Sequence, residues 1–338
     1  MDSGKDRDMS ATVLVTDYAW PSLDIERQIL AGIDAELLVA EKGDEEELVA
    51  LAPRADAILT NWKKVPAAAL DAAERCRVVS RYGVGVDNIP VEHATGLGIV
   101  VTNVPDFCLD EVSDHAMALL LACARRIPKL EAATKSGIWS VGLAYGMSRL
   151  RGQTLGLVGF GNIARVLAPK AAAFGLKVIA YTPRGTSSTD TAVERTNHLE
   201  QLLSVSDFVS LHAPSTPSTR GLIGRAELRA MKPTAYLINT ARGALIDDEA
   251  LLEAINEGWI AGAALDVLAV EPPAPGNQLM QLENVLVTPH VAFYSEQAIQ
   301  ELQEKAARNV MTVLRGDVPA SVVNRTVLQQ PNRLSSPV

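Results

Sequence analysis

Residues 154–164 read Thr-Leu-Gly-Leu-Val-Gly-Phe-Gly-Asn-Ile-Ala, and their arrangement decides the fold. Thr154–Val158 has the look of a buried strand, a glycine pair follows, and a helical pattern runs through Leu167 and Ala171 to Gly175. A second apolar run, Lys177–Tyr181, comes next. Strand, glycine turn, helix and second strand form the context in which G-x-G-x-x-A binds a dinucleotide. Gly159 permits the tight turn, Gly161 lets backbone approach a pyrophosphate, and Ala164 lets the helix pack closely on the strand. The unpaired N–H groups of the helix start, at Asn162 and Ile163, then face the phosphates.

The end of the second strand selects between cofactors. An acid there accepts hydrogen bonds from the adenosine ribose and repels a 2′-phosphate. This chain has Thr182-Pro183-Arg184 instead. The carboxylate is missing and a cation stands two residues on, so the expected cofactor is NAD or NADP, with NADPH use suggested.

Working outward, short apolar runs alternate with helical patterns along the whole chain. Thr12–Thr16, Ala35–Ala40, Ala57–Thr60 and Val78–Arg81 read as one series of strands. Thr154–Val158, Lys177–Tyr181, Phe208–Leu211, Ala235–Asn239, Ala261–Leu265 and Val285–Thr288 read as a second. Continuous apolar strands separated by helices imply parallel sheets covered on both faces. The class is α/β, with two doubly wound parallel-sheet domains, and 338 residues exceed what one core usually serves. Two long helices are predicted. One spans Asp110–Ile127 and is stopped by Pro128; the other spans Ser295–Arg315 and ends at Gly316.

Four polar residues fall at strand ends of the second series. Arg242 comes three residues after Asn239, Asp266 follows Leu265, and His290 follows Val285–Thr288 and Pro289. Glu271 lies in the loop beyond Asp266. The carboxyl ends of parallel strands share one edge, where ligands bind. Singly, each residue has a bland explanation on the surface or in a structural hydrogen bond. Together they supply what reduction of a 2-oxo acid needs. An arginine can fork a carboxylate and polarise a carbonyl. A histidine can protonate the oxygen as hydride reaches carbon. A carboxylate beside that histidine orients it and stabilises its charged form. His115, in the apolar helix, is set aside. His93 and His198 precede helix-like segments, and there is no HExxH, P-loop or GxSxG.

Composition removes other classes. The net charge is -9, and residues 1–50 hold 13 acids against 4 bases, so the rest of the chain balances. That excludes a basic nucleic-acid footprint. Three cysteines, Cys76, Cys108 and Cys123, make no CxxC pair, which fits a reducing compartment and gives no thiolate metal site. The longest wholly apolar run, Ala116–Ala124, is half a membrane span. Residues 1–10 are polar and lack a signal's apolar stretch, so the expected address is the cytoplasm.

With these residues assembled, the chain resembles the D-isomer-specific 2-hydroxyacid dehydrogenases over about residues 12–325. The matching stretches are Arg81–Asn88 (RYGVGVDN), Leu155–Ala164, Leu211–Pro217 (LHAPSTP), Ile238–Gly243 (INTARG), Ala263–Val267 (AALDV) and Thr288-Pro289-His290. Residues 104–112 and 290–298 look most like the C-terminal-binding-protein branch and its phosphoglycerate-dehydrogenase-like relatives. The resemblance implies Arg242, Glu271 and His290 as a catalytic triad and Asp266 as holder of the nicotinamide carboxamide. It implies that His212, Ala213, Pro214, Thr216, Thr240 and Ala241 line the cofactor cleft. Backbone near Val84 and Gly85 would receive the substrate carboxylate. Arg81 directly precedes that loop, and Phe293 would line the side-chain pocket. The implied architecture is a Rossmann nucleotide domain, residues 106–290, inserted into a flavodoxin-like substrate domain of residues 1–105 and 291–330. Residues 331–338 would be a disordered tail. A homodimer through the 110–127 helix and a Trp139 arm is also implied, with a small anionic 2-oxo or 2-hydroxy acid as substrate. The competing class is an NAD(H)-sensing scaffold, or corepressor-like binding protein, because that branch combines a dehydrogenase fold with such a role.

Overall fold

The computed structural model describes residues 10–183, 193–329 and 331–334. They divide into two compact units, one drawn from within residues 1–107 and 295–338 and the other from within residues 108–294.

The first unit is a five-stranded parallel sheet. Its strands are β1 (Thr12–Val15), β2 (Glu36–Val39), β3 (Ala57–Thr60), β4 (Val78–Arg81) and β5 (Val100–Thr102), in the order β2-β1-β3-β4-β5. Its early helices are α1 (Asp24–Leu30), α2 (Glu45–Leu51), α3 (Ala67–Ala72) and α4 (Val91–Gly96). Alternate residues serve the two faces. Leu14, Ile58, Val79 and Val101 point into a core with Leu48 of α2, Leu70 of α3 and Ala94 of α4. The opposite face carries Ser80, whose hydroxyl donates to the Ala306 carbonyl (3.1 Å) of the long C-terminal helix. β5 is an edge strand of three residues, too short for its pattern to stand out in sequence. The segment that follows the last helix covers it: Asn324 Oδ1 accepts from Val101 N and Val101 O accepts from Val323 N, both at 2.8 Å.

The second unit is a seven-stranded parallel sheet. Its strands are β6 (Thr154–Val158), β7 (Lys177–Tyr181), β8 (Glu194–Thr196), β9 (Phe208–Leu211), β10 (Tyr236–Asn239), β11 (Gly262–Leu265) and β12 (Val285–Val287). The order is β12-β11-β10-β9-β6-β7-β8. Helices α5 (Leu109–Ala124), α6 (Ile127–Lys135) and α7 (Asn162–Ala173) precede α8 (Leu199–Val205), α9 (Arg225–Ala230) and α10 (Asp248–Asn256). Leu155, Leu157, Ile238 and Ala264 pack on α5 and α7. Val158, Leu237, Ala263 and Leu265 pack with residues of α8, α9 and α10 on the other face. Fully buried leucines here stabilise by roughly 2 kcal/mol each. β8 escaped the sequence reading because Glu-Arg-Thr at a sheet edge carries no apolar signal.

Two sequence expectations need correction. Pro128 does not stop the first long helix, which ends at Ala124. Arg126 turns left-handed (φ 50°) and Pro128 sits in the first turn of α6, where a missing N–H leaves no hydrogen bond unmade. The last helix, α11, spans Glu296–Leu314, capped by Ser295 Oγ accepting from Ala298 N. Beyond it, residues 331–334 are not loose. Arg333 Nη1 donates to Ala73 O (2.7 Å), and buried Arg77 donates to Leu314 O, Val313 O and Arg333 O at 2.9–3.0 Å.

Candidate active site

In the second unit the strand order reverses between β6 and β9, which opens a crevice at the carboxyl edge. Gly159 turns there with φ 97°, and its N–H donates to Tyr181 O (3.1 Å). A Cβ on Gly159 would lie 2.7 Å from His212 O, so only glycine lets the β6 and β9 loops close on each other. A Cβ on Gly161 would meet nothing within 4 Å. The extended Gly161 caps α7 without a side chain, and Asn162 and Ile163 open the helix. The space beside Gly161 and the bare helix start fit a dinucleotide phosphate. Thr240 Oγ1, buried with no hydrogen-bond partner among the described residues, is a second sign of a polar ligand at this edge.

The His212 loop is built by its own side chains. Thr219 Oγ1 donates to Pro214 O (2.6 Å) and accepts from Thr216 N (2.8 Å), while Ala213 is half-buried. His212 Nε2 lies 2.9 Å from Ser210 Oγ, and burial pushes the imidazole pKa down to about 4. At β7, Thr182 N donates to Thr196 O (3.0 Å), with exposed Pro183 beyond; Arg184 lies outside the described residues. Two other cations flank the glycine turn. The guanidinium carbons of Arg165 and Arg195 each lie 5.0 Å from the Phe160 ring centroid.

Arg242 is presented by a loop that the buried Asn239 shapes. Asn239 Oδ1 accepts from Ala241 N (3.0 Å) and its Nδ2 donates to Arg242 O (2.9 Å). Arg242 Nη1 donates to Ala241 O (2.7 Å). Glu271 Oε1 accepts from Leu268 N (2.9 Å), and its Oε2 lies 2.7 Å from His290 Nδ1. Burial works to raise the Glu271 pKa, but the hydrogen bond and charge of His290, the Leu268 N–H and the Arg242 charge together hold it below 4.5. An ionised carboxylate only accepts, so His290 Nδ1 carries the proton it donates. Nε2 is left for chemistry. The Phe293 ring stands edge-on to His290, centroids 6.1 Å apart.

Asp266 is 1% exposed, and both of its oxygens are engaged within the chain. Oδ1 accepts from Thr288 Oγ1 (2.5 Å) and Val291 N (3.0 Å); Oδ2 accepts from Ala292 N (3.0 Å). Its backbone oxygen accepts from His290 N (2.8 Å). His290 has φ 51°, a left-handed backbone that costs a non-glycine residue on the order of 1 kcal/mol. The sequence reading singled out Asp266 for a different role, holding the nicotinamide carboxamide, and missed this clamp; it also missed Ser210, Asn239 and Thr288 as supports. Their only signal was a small polar residue at or beside a strand end.

In the first unit, the loop after β4 folds tightly. Gly83 has φ 147°, and a Cβ there would lie 2.2 Å from Arg81 Nη1. Val84 is 38% exposed, its carbonyl accepts from Asn103 Nδ2 (2.7 Å), and Gly85 is half-buried. The loop after β3 is ordered by a residue the sequence reading passed over. Asp17 accepts from Asn61 N, Trp62 N and Lys63 N.

A cavity of about 440 Å³ opens at the opposite edge of the second sheet, lined by Cys123, Arg126, Tyr236 and Asn284. None of the expected site residues line it. Among the described residues no cluster of His, Cys, Asp or Glu could hold a metal.

Residues 117–292 match the family model described as D-isomer specific 2-hydroxyacid dehydrogenase, NAD binding domain. A glyoxylate reductase of Thermococcus litoralis is 43% identical over 276 residues, 78% of this chain and 82% of that one. A D-3-phosphoglycerate dehydrogenase of Methanocaldococcus jannaschii is 39% identical over 94% of this chain and 60% of its own length. The crystal structure of an NADPH-dependent glyoxylate/hydroxypyruvate reductase from Sinorhizobium meliloti, with NADP and malonate, superposes with a TM-score of 0.83. It is 30% identical over 94% of this chain and 98% of that one. The chain belongs to the D-isomer-specific 2-hydroxyacid dehydrogenase family. It is an NAD(P)-using D-2-hydroxyacid dehydrogenase.

Proposed function

We propose that the enzyme reduces a small 2-oxo acid of the glyoxylate or hydroxypyruvate kind to the 2-hydroxy acid, with His290 as proton donor. The observation that carries this is the 2.7 Å His290–Glu271 pair, which fixes Nδ1 and leaves Nε2 for the substrate oxygen. Arg242 follows β10 on the same sheet edge and has the fork geometry to bind the carboxylate and polarise the carbonyl. A bound NAD(P)H supplies the hydride. The Gly159–Ile163 turn, the His212–Thr216 loop and Thr240–Ala241 hold the cofactor. Phe293 borders the substituent on C2 and favours a small one.

NADPH is the preferred donor in this reading. Thr182 offers no carboxylate against a 2′-phosphate, and Arg165 and Arg195 bring positive charge beside the turn. The enzyme works as a homodimer in the cytoplasm. Trp139, Val141 and Tyr145, 90%, 78% and 76% exposed, are large apolar side chains suited to cover by a second copy. All three cysteines are free and buried, as a reducing compartment allows, and no described helix is long and apolar enough to cross a membrane.

The test is a spectrophotometric screen of glyoxylate, hydroxypyruvate and bulkier 2-oxo acids with NADPH and NADH, alongside His290→Gln. Turnover of the small acids, lost about 1,000-fold in the variant with cofactor affinity kept, is expected. If no 2-oxo acid is reduced while cofactor still binds, the reading fails and the scaffold class takes its place.

A further inference from the structure

His115 lies on α5, remote in sequence from every residue assigned above, and no step of the proposed reaction uses it. Its side chain is 23% exposed and its Nε2 reaches Thr288 Oγ1 at 3.0 Å, with Asp266 Oδ1 at 3.6 Å. The Asp266 carboxylate accepts two backbone N–H groups, one on each oxygen, which suits the ionised form. It therefore also accepts the single Thr288 hydroxyl proton at 2.5 Å. With that proton committed, the Thr288 oxygen can only accept from His115, so His115 Nε2 is the protonated nitrogen.

The result is a directed chain: His115 Nε2–H to Thr288 Oγ, Thr288 Oγ–H to Asp266, and Asp266 to the N–H groups of Val291 and Ala292. Those two N–H groups immediately follow His290, whose own N–H is held by Asp266 O and, at 3.0 Å, by Thr288 O. A left-handed backbone at a histidine persists only where its surroundings hold it. Here they are two residues, Asp266 and Thr288, and His115 orients the hydroxyl that joins them.

We propose that His115 is a positioning residue which, through Thr288 and Asp266, locks the backbone of the proton-donating His290. The inference rests on the reading of His290 given above, and it predicts a loss in turnover rather than in binding. Small misplacements of a reacting group cost rate far more than affinity, about 100-fold for 1 Å in unfavourable cases.

Four single variants of the intact enzyme and one double variant test it: His115→Leu, His115→Gln, Thr288→Val, the combination of His115→Leu with Thr288→Val and, as control, His290→Gln. His115→Leu and Thr288→Val should each lower kcat about 10- to 100-fold while KM for cofactor and 2-oxo acid changes less than about threefold. His115→Gln, whose amide nitrogen can reach where Nε2 was, should return kcat to within about threefold of the parent. Combining His115→Leu with Thr288→Val should cost little more than either alone, because both cut one chain. Amide hydrogen exchange at Val291 and Ala292 gives a readout independent of activity: it should quicken about tenfold or more in His115→Leu and recover in His115→Gln. The inference is overturned if His115→Leu keeps full kcat and full amide protection, if only KM rises, or if Gln rescues neither quantity. Should His115→Leu not fold, Thr288→Val decides alone by the same two measurements. If His290→Gln turns over normally while the amides lose protection in His115→Leu, the lock stands and the reading of His290 as proton donor is what falls.

Discussion

Gly243 is in backbone contact with Leu268: a Cβ built on Gly243 would sit 1.9 Å from the Leu268 carbonyl carbon. Gly243 follows Arg242, and the N–H of Leu268 donates to Glu271. The arginine loop and the acid loop are thus seated directly on each other.

Gly243→Ala should therefore damage the site without touching a charged residue. The methyl meets backbone, which cannot rotate away, so the loops must part; overpacking of this kind costs about 1–3 kcal/mol. Thermal unfolding should show that loss, and kcat should fall at least about tenfold as Arg242 and Glu271 separate. A variant with parental stability and turnover would refute the seating.

The cofactor-free protein should become less stable in mild acid through His212. The unfolded imidazole takes a proton below about 6.5, whereas the folded one holds out until about 4. Between those values the unfolded state binds more protons, so stability falls as pH falls. The penalty approaches about 3 kcal/mol below pH 4. His212→Asn should flatten this slope in denaturant titrations from pH 7 to 4, and NMR should place the His212 midpoint near 4.

Thr182→Asp should turn cofactor choice toward NADH. The new carboxylate meets the ribose hydroxyls of one cofactor and the 2′-phosphate of the other, shifting the kcat/KM ratio by about tenfold or more. An unchanged ratio in both parent and variant would show that selectivity resides elsewhere.

Arg77→Met should destabilise the first unit by about 2–4 kcal/mol, because the carbonyls of Val313 and Leu314 at the end of α11 lose their buried donor. A lowered denaturant midpoint with unchanged cofactor affinity is the expected outcome.

The α/β class and ten of the strands were legible because parallel strands buried on both faces announce themselves as apolar runs. Val100–Thr102 and Glu194–Thr196 were not, since a three-residue edge strand leaves too short a pattern. Arg242 and His290 were singled out by their place at strand ends and Glu271 by its loop beyond Asp266, and the structure puts Glu271 on His290 by a loop whose length alone does not fix the contact. The supports were hidden. Nothing in Asp110–Ile127 says that His115 turns toward Thr288, because that pairing depends on α5 crossing β10 and β11. Pro128 misled because proline ends one helix and begins another with equal ease, and only the left-handed Arg126 tells which.

The division of the chain has a consequence for how it is made. Residues 108–294 are contiguous, so the second unit has every strand and helix of its core once they have left the ribosome. The first unit does not: α11 packs on β3 and β4, and Arg77 donates both to the Leu314 carbonyl at its end and to the carbonyl of Arg333. The part of the protein synthesised first therefore waits for α11 to complete the face of its sheet that α1 covers only in part.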